Sequence, residues 1–151
     1  MFSTVRYFIK TSIIFLITGI LTGLYMSFNK HLLNAGVLPE IISAHTHIIL
    51  VGSVMMMIMG VALWFFPRAE KNDKKYNPLL ILFTYWLMTI STALRFLFQI
   101  ASAFTFLNFV EVCISIFSSL QVIAIILFFF AIWGRIRAVG SQIREAKGEK
   151  F

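Results

Sequence analysis

Charge is absent from this chain over long intervals, and that absence limits the folds open to it. Thr11 to Phe28 carries no charged side chain over 18 residues and Ile41 to Pro67 none over 27, while only Arg95 and Glu111 interrupt the 59 residues from Tyr76 to Gly134. A bilayer core about 30 Å thick takes roughly 20 mostly apolar residues per helix, so each interval is a candidate membrane span. The third is too long for one crossing: as a single helix it would run nearly ~90 Å at about 1.5 Å per residue. It must fold back, and Ser102, Thr105 and Asn108 place the turn between Gln99 and Asn108. The expectation is an all-α membrane protein, a four-transmembrane-helix bundle with crossings at about 9 to 28, 43 to 66, 78 to 98 and 107 to 134. These form one domain over residues 1–134, followed by a basic cytoplasmic tail over 135–151.

Composition agrees. The chain of 151 residues is 60% hydrophobic and 13% charged, against roughly 45–50% and about 25% for a soluble domain. A single cysteine, Cys113, excludes an intrachain disulfide framework and a Cys-rich metal site. Nucleic acid is not an expected partner, because the basic residues lie outside the aromatic runs and build no groove interleaved with rings. The lipid bilayer is. Arg6 and Lys10 before the first apolar run suggest a signal peptide, but the run exceeds an h-region of about 7–15 residues and no small-x-small cleavage site follows, so it reads as a permanent helix.

Orientation follows from the basic residues, which accumulate on the cytoplasmic side. With both termini inside (N-in/C-in), that side collects Arg6, Lys10, Arg68, Lys71, Lys74, Lys75, Arg135, Arg137, Arg144, Lys147 and Lys150, eleven of the thirteen Lys and Arg that produce most of the net charge of +7. Lys30 alone falls in an outer loop. The expected location is a multi-pass protein of the bacterial inner (cytoplasmic) membrane.

This topology gathers the remaining polar groups. His31 ends the first helix, His45 and His47 open the second, Arg95 lies toward the outer end of the third and Glu111 toward the outer start of the fourth. All fall in one outer layer, while the inner half is mostly Ile, Leu, Phe, Val and Met. Ionisable groups at membrane depth are costly and usually face the bundle interior, which makes this layer the candidate site. Snorkelling to the interface, or mutual pairing of Arg95 and Glu111, is the simpler alternative for the two charges. At about 100° per residue His47 points roughly 200° from His45, so a regular helix does not aim both at one metal. Gly52, seven residues past His45, lies about 20° from its azimuth with Met56 a turn beyond, leaving the face below His45 open to a flat macrocycle or a neighbouring helix. Helix packing is the favoured reading of the glycines, since Gly19 and Gly23 form a G-x-x-x-G pair in the first helix.

The stretch Ala44-His45-Thr46-His47-Ile48-Ile49-Leu50-Val51-Gly52, running on to Gly60 and Trp64-Phe65-Phe66-Pro67-Arg68, resembles the second transmembrane helix of the heme-copper oxidase large subunit, most closely the cbb-type oxidases and nitric oxide reductases. In that superfamily a His at the outer start of this helix is an axial ligand of the low-spin heme, with a glycine seven residues later. His45 and Gly52 match those positions; His47 stands where those proteins tend to carry an Asn. The likeness covers about 25 of the 151 residues, and it implies a heme on the outer side. The family's large subunit has about twelve helices, and its other heme- and metal-binding histidines have no counterpart here. The resemblance thus implies a heme-binding fragment of that architecture without the binuclear centre.

The resulting expectation is a small b-type heme protein for electron transfer or for binding a diatomic gas such as O2 or NO, with iron on His45, as a homo-oligomer or a subunit of a larger respiratory complex. The second axial ligand is left open between His31, His47 after local unwinding, a symmetry-related chain, or none. Axial ligation and burial would set the potential. Arg95 is expected to pair with a heme propionate, and Glu111 to orient Arg95 or hydrogen-bond His45. Two alternatives stand beside this one. One is a copper- or other metal-handling protein using His31, His45, His47 and the Met55, Met56, Met57 and Met59 cluster, although these Met spread around the helix and suit packing. The other is a cofactor-free assembly subunit. No nucleophile with a base, paired carboxylate site or phosphate loop is present, so the only catalysis the residues support is heme redox chemistry.

Overall fold

The computed structural model describes residues 2–66, 78–136 and 147–148. Arg68, Lys71, Lys74, Lys75, Arg137, Arg144 and Lys150, which carry much of the orientation argument, lie outside the described residues. Four long helices follow in order: α1 (Phe2–His31), α2 (Pro39–Phe65), α3 (Pro78–Ser102) and α4 (Asn108–Ile132), the last running into a short 3-10 turn at Trp133–Arg135. Each is long and apolar enough to cross a membrane, with mean hydropathies of 1.7, 2.4, 1.5 and 2.5. The four-helix expectation holds, with ends displaced by a few residues and α1 starting earlier than its uncharged run.

The ends have local causes. Asn34, at φ 48°, turns the chain after α1 and lets the Ala35 amide reach the Asn29 carbonyl at 2.9 Å, a left-handed position that Asn tolerates better than most residues. Pro39 opens α2 and Pro78 opens α3, where the ring's fixed φ suits the first turn and its missing N–H leaves nothing unpaired. Pro67 follows α2, and the residue before a proline is pushed out of helical backbone; Phe66 is extended, with ψ 144°. Glu40 and Glu111 sit in the first turns of α2 and α4, where the helix dipole favours a carboxylate.

Size complementarity organises the contact between α1 and α2, which run antiparallel. Gly23 faces His45, Gly19 faces Ile49, Phe15 lies over Gly52, and Phe8 with Ile9 covers Gly60. Ser12 adds a hydroxyl contact to Met57 Sδ at 3.7 Å. A glycine on one helix thus receives a large side chain of the other, alternately along the seam. Without a hydrophobic difference between lipid and protein interior, such close approach is what holds membrane helices together. The G-x-x-x-G reading of Gly19 and Gly23 is borne out.

Within α2, Ile48–Met55 is wound as a π-helix, so the regular step assumed in reading the sequence does not hold there. Gly52 is not an open face: a Cβ on it would meet Thr92 Cγ2 at 2.9 Å and the Phe15 ring at 3.0 Å. The space that the sequence offered to a flat macrocycle at Gly52 is filled from α1 and α3.

Helix α3 packs on α2, and α4 lies along α3 through a stripe of Val110, Cys113, Gln121, Ala124 and Phe128. Away from the histidine-bearing end, Phe8, Tyr85 and Phe128 join α1, α3 and α4 edge to face, with centroids 5.2 and 5.9 Å apart. Tyr85 also shares a 2.8 Å hydrogen bond with Thr11. Polar groups therefore extend into this half too, contrary to the almost wholly apolar expectation. Arg135, assigned to the solvated tail from sequence, is 4% exposed and donates from Nη2 to the Phe66 carbonyl at 3.3 Å, tying the end of α4 to the end of α2. Large apolar side chains such as Ile14, Ile17, Leu24, Leu50, Ile90 and Ile126 stay exposed around the bundle. With all four helices hydrogen-bonded within themselves, that exterior is what a bilayer solvates: the chain is a multi-pass membrane protein.

The seam predicts a rescue. Gly19→Val drives a methyl into Ile49 and should lower stability in detergent by about 1–3 kcal/mol; Ile49→Ala in the same chain should recover part of that loss. Additive losses in thermal melting would mean that the two side chains do not meet.

Candidate functional site: two histidines on opposite faces of one helix

His45 and His47 are two residues apart and serve different interfaces. The His45 ring lies on α1, in the gap left by Gly23, with its Nδ1 2.9 Å from the Gly19 carbonyl oxygen. A carbonyl only accepts, so Nδ1 carries the proton and Nε2 keeps its lone pair. This is the arrangement in which a histidine is usually held for metal ligation, one ring nitrogen donating to a backbone carbonyl and the other free.

His47 turns to the other side. Its Nδ1 donates to the Ser43 carbonyl one turn back, at 3.0 Å, and its ring lines a tight junction of α2, α3 and α4 with Ala44, Thr92, Arg95, Gln99 and Gln121. There Arg95 Nη1 donates to Gln121 Oε1 at 3.1 Å, and Gln121 Nε2 donates to Thr92 Oγ1 at 2.9 Å. Arg95 Nε and Gln99 Oε1 are buried in the junction without a hydrogen-bond partner. Hydrogen bonds therefore join α3 to α4 beside His47 of α2, through groups that the surrounding apolar side chains cannot satisfy.

The other expected site residues go elsewhere. Glu111 is exposed on α4, in a shallow groove with Val112, Ser115, Ile116, Ser119 and Leu120. It neither orients Arg95 nor reaches His45, whose Nδ1 is committed to Gly19. The reason is azimuth: Val110 lies on the stripe facing α3, and the next residue is rotated by about 100° from it. Gln121, which sequence reading passed over in favour of a charge of opposite sign, takes Arg95 instead. Its signal was available, since it stands alone as a glutamine on the stripe Val110, Cys113, Gln121, Ala124. His31 is exposed in a separate groove at the end of α1, with Met26, Lys30, Val37 and Ile42.

Among the described residues no group of three or more His, Cys, Asp or Glu side chains converges on a metal position. The Met55, Met56, Met57 and Met59 cluster packs: Met56 and Met59 are fully buried in the core, Met55 lies against it, and Met57 accepts from Ser12. An iron that brings four nitrogens of its own needs one imidazole with a free lone pair, and His45 fits that requirement. An apolar groove of about 520 Å³ runs between α1 and α3, lined by Thr18, Leu21, Thr22, Tyr25, Phe96 and, on α2, Ile41 one turn before His45.

No family profile matches the chain, and neither do characterised proteins or solved structures.

The junction gives a prediction of sign. Gln121→Leu strands the Arg95 guanidinium in the bundle and should destabilise by about 1–3 kcal/mol. The double variant Arg95→Leu/Gln121→Leu should melt closer to wild type than Gln121→Leu alone, because it removes the half-buried guanidinium together with its partner.

Proposed function

We propose that this protein is a small membrane heme protein in which His45 is the protein ligand to the iron of a b-type heme, serving electron transfer or the binding of a diatomic gas. The carrying observation is the His45 imidazole itself: proton committed to the Gly19 carbonyl, Nε2 free, at the start of a membrane helix. The resemblance of this helix to the heme-bearing second helix of the heme-copper oxidase large subunit supports the same reading. The bound group would supply one-electron exchange or an open coordination position for O2 or NO.

The chain's own residues set the terms. Gly19 accepts a hydrogen bond from His45 Nδ1 and so holds the ring against rotation. His47 and Arg95 are turned into the junction with Gln121, so in this reading they brace α2 against α3 and α4, and the propionate role expected of Arg95 is not carried forward. His31 is remote at the exposed end of α1. His45 would then be the residue of this chain that holds the heme, and any further protein ligand would come from another copy of the chain or a larger respiratory complex. The surplus of Lys and Arg around residues 68–75 and beyond 135 supports an N-in/C-in orientation, with His45 toward the outer face of a bacterial inner membrane.

Protein purified from membranes after heme supplementation should show a Soret band and a pyridine hemochrome of b type; His45→Ala should abolish both, and His47→Ala should retain them. Wild-type protein that folds and stays colourless overturns the reading. For orientation, alkaline phosphatase fused after Phe151 should be inactive, and an active fusion reverses the topology.

A further inference from the structure

Two features of α1 act on one imidazole, and they are separable. Gly19 contributes a carbonyl oxygen, which any residue would also possess. Gly23 contributes space: a Cβ there would lie 2.9 Å from His45 Cε1, 3.5 Å from Nδ1 and 3.7 Å from Nε2. The first of these distances is closer than carbon atoms tolerate without movement, so any side chain at position 23 pushes the ring off α1. The Nδ1 to Gly19 hydrogen bond of 2.9 Å lengthens as it goes, and these contacts weaken as the donor and acceptor separate.

We infer that Gly23 is a positioning residue for His45, its missing side chain forming the slot that keeps the imidazole on the Gly19 carbonyl and so directs the lone pair to Nε2. The inference rests on the heme reading for its use, and on the two contacts for its geometry. It makes α1 a tuning element: the tautomer and the orientation of the ligand ring are set by the depth at which two helices meet, one turn from a carbonyl that does not vary with sequence. The same seam supplies its own control. Gly60 is as tightly packed as Gly23, with Ile9 Cγ1 and Phe8 Cβ each 3.0 Å and the Ile9 backbone nitrogen 3.5 Å from an added Cβ, but these contacts lie far along α1 from His45.

The test reads the imidazole without heme. Ring nitrogens of histidine-labelled protein in lipid nanodiscs are observed by nitrogen-15 NMR at alkaline pH, with the His45 signals identified by their loss in His45→Gln. In wild type the proton should reside on Nδ1. Gly23→Ala, with Gly23→Ser as a second variant, should shift the ratio of the Nδ1–H to the Nε2–H form by about fivefold, the weight of one hydrogen bond, and Gly60→Ala should leave it unchanged despite a comparable fall in melting temperature. A wild-type proton on Nε2, an unchanged ratio in the Gly23 variants, or an equal shift in Gly60→Ala overturns the proposal. In hemin-loaded protein the Gly23 variants should alter the spin-state balance seen in the visible spectrum, with Gly60→Ala retaining that of wild type. Wild type that takes up no hemin overturns the ligand role of His45, while the tautomer measurements decide the slot independently.

Discussion

Close approach of α1 and α2 is the constraint on which the arrangement of this protein depends. In lipid, burying leucine against leucine gains little over leaving each in acyl chains, so helices adhere where backbones come near and shapes interlock. Here the interlock alternates. Gly23 and Gly19 on α1 receive His45 and Ile49, then the roles reverse, and Gly52 and Gly60 on α2 receive Phe15 and Phe8 with Ile9. The interlock also settles where His45 points, because the ring is one of the side chains that fills a glycine gap. The packing device and the candidate ligand are thus the same contact.

On the other side of α2 the physics differs. Arg95 brings a guanidinium into a region with no carboxylate beside it among the described residues, and a neutral amide, Gln121, receives it. An amide offers both an acceptor for Arg95 and a donor for Thr92, so one side chain joins two groups of α3 to α4. Glu111 would have matched the charge but stands one residue past the stripe that faces α3, in the first turn of α4, where the helix dipole and the interface accommodate it. Charge complementarity read along a sequence therefore pointed to the wrong partner, and helical azimuth to the right one.

The two histidines illustrate how far periodicity carries. Their separation of two residues implies opposite faces, and the structure has His45 on α1 and His47 toward α3 and α4. The regular step is interrupted seven residues on, where the π-wound segment Ile48–Met55 intervenes, and Gly52 takes the packing reading favoured for the glycines, although an absent side chain says nothing of who fills the gap. Phe15 and Thr92 fill it, from helices that no local pattern in α2 could name. Arg135 departs from its sequence reading: at the edge of a basic tail it reads as solvated or touching lipid headgroups, yet the ends of α2 and α4 meet there and its guanidinium closes on the Phe66 carbonyl.

The sequence by itself determined the number of crossings, their approximate limits, the pairing signal of Gly19 with Gly23 and the histidine-bearing end of the bundle. These follow from apolar length, from the backbone preferences of proline and from glycine spacing, all of which act within one helix or across adjacent ones. Only the tertiary structure decided that Gly52 is covered by Phe15 and Thr92, that Gln121 rather than Glu111 meets Arg95, and that His45 Nδ1 donates a hydrogen bond to the Gly19 carbonyl. Each of those outcomes depends on the rotation of one helix against another, and that rotation is set by the summed fit of many side chains along a seam.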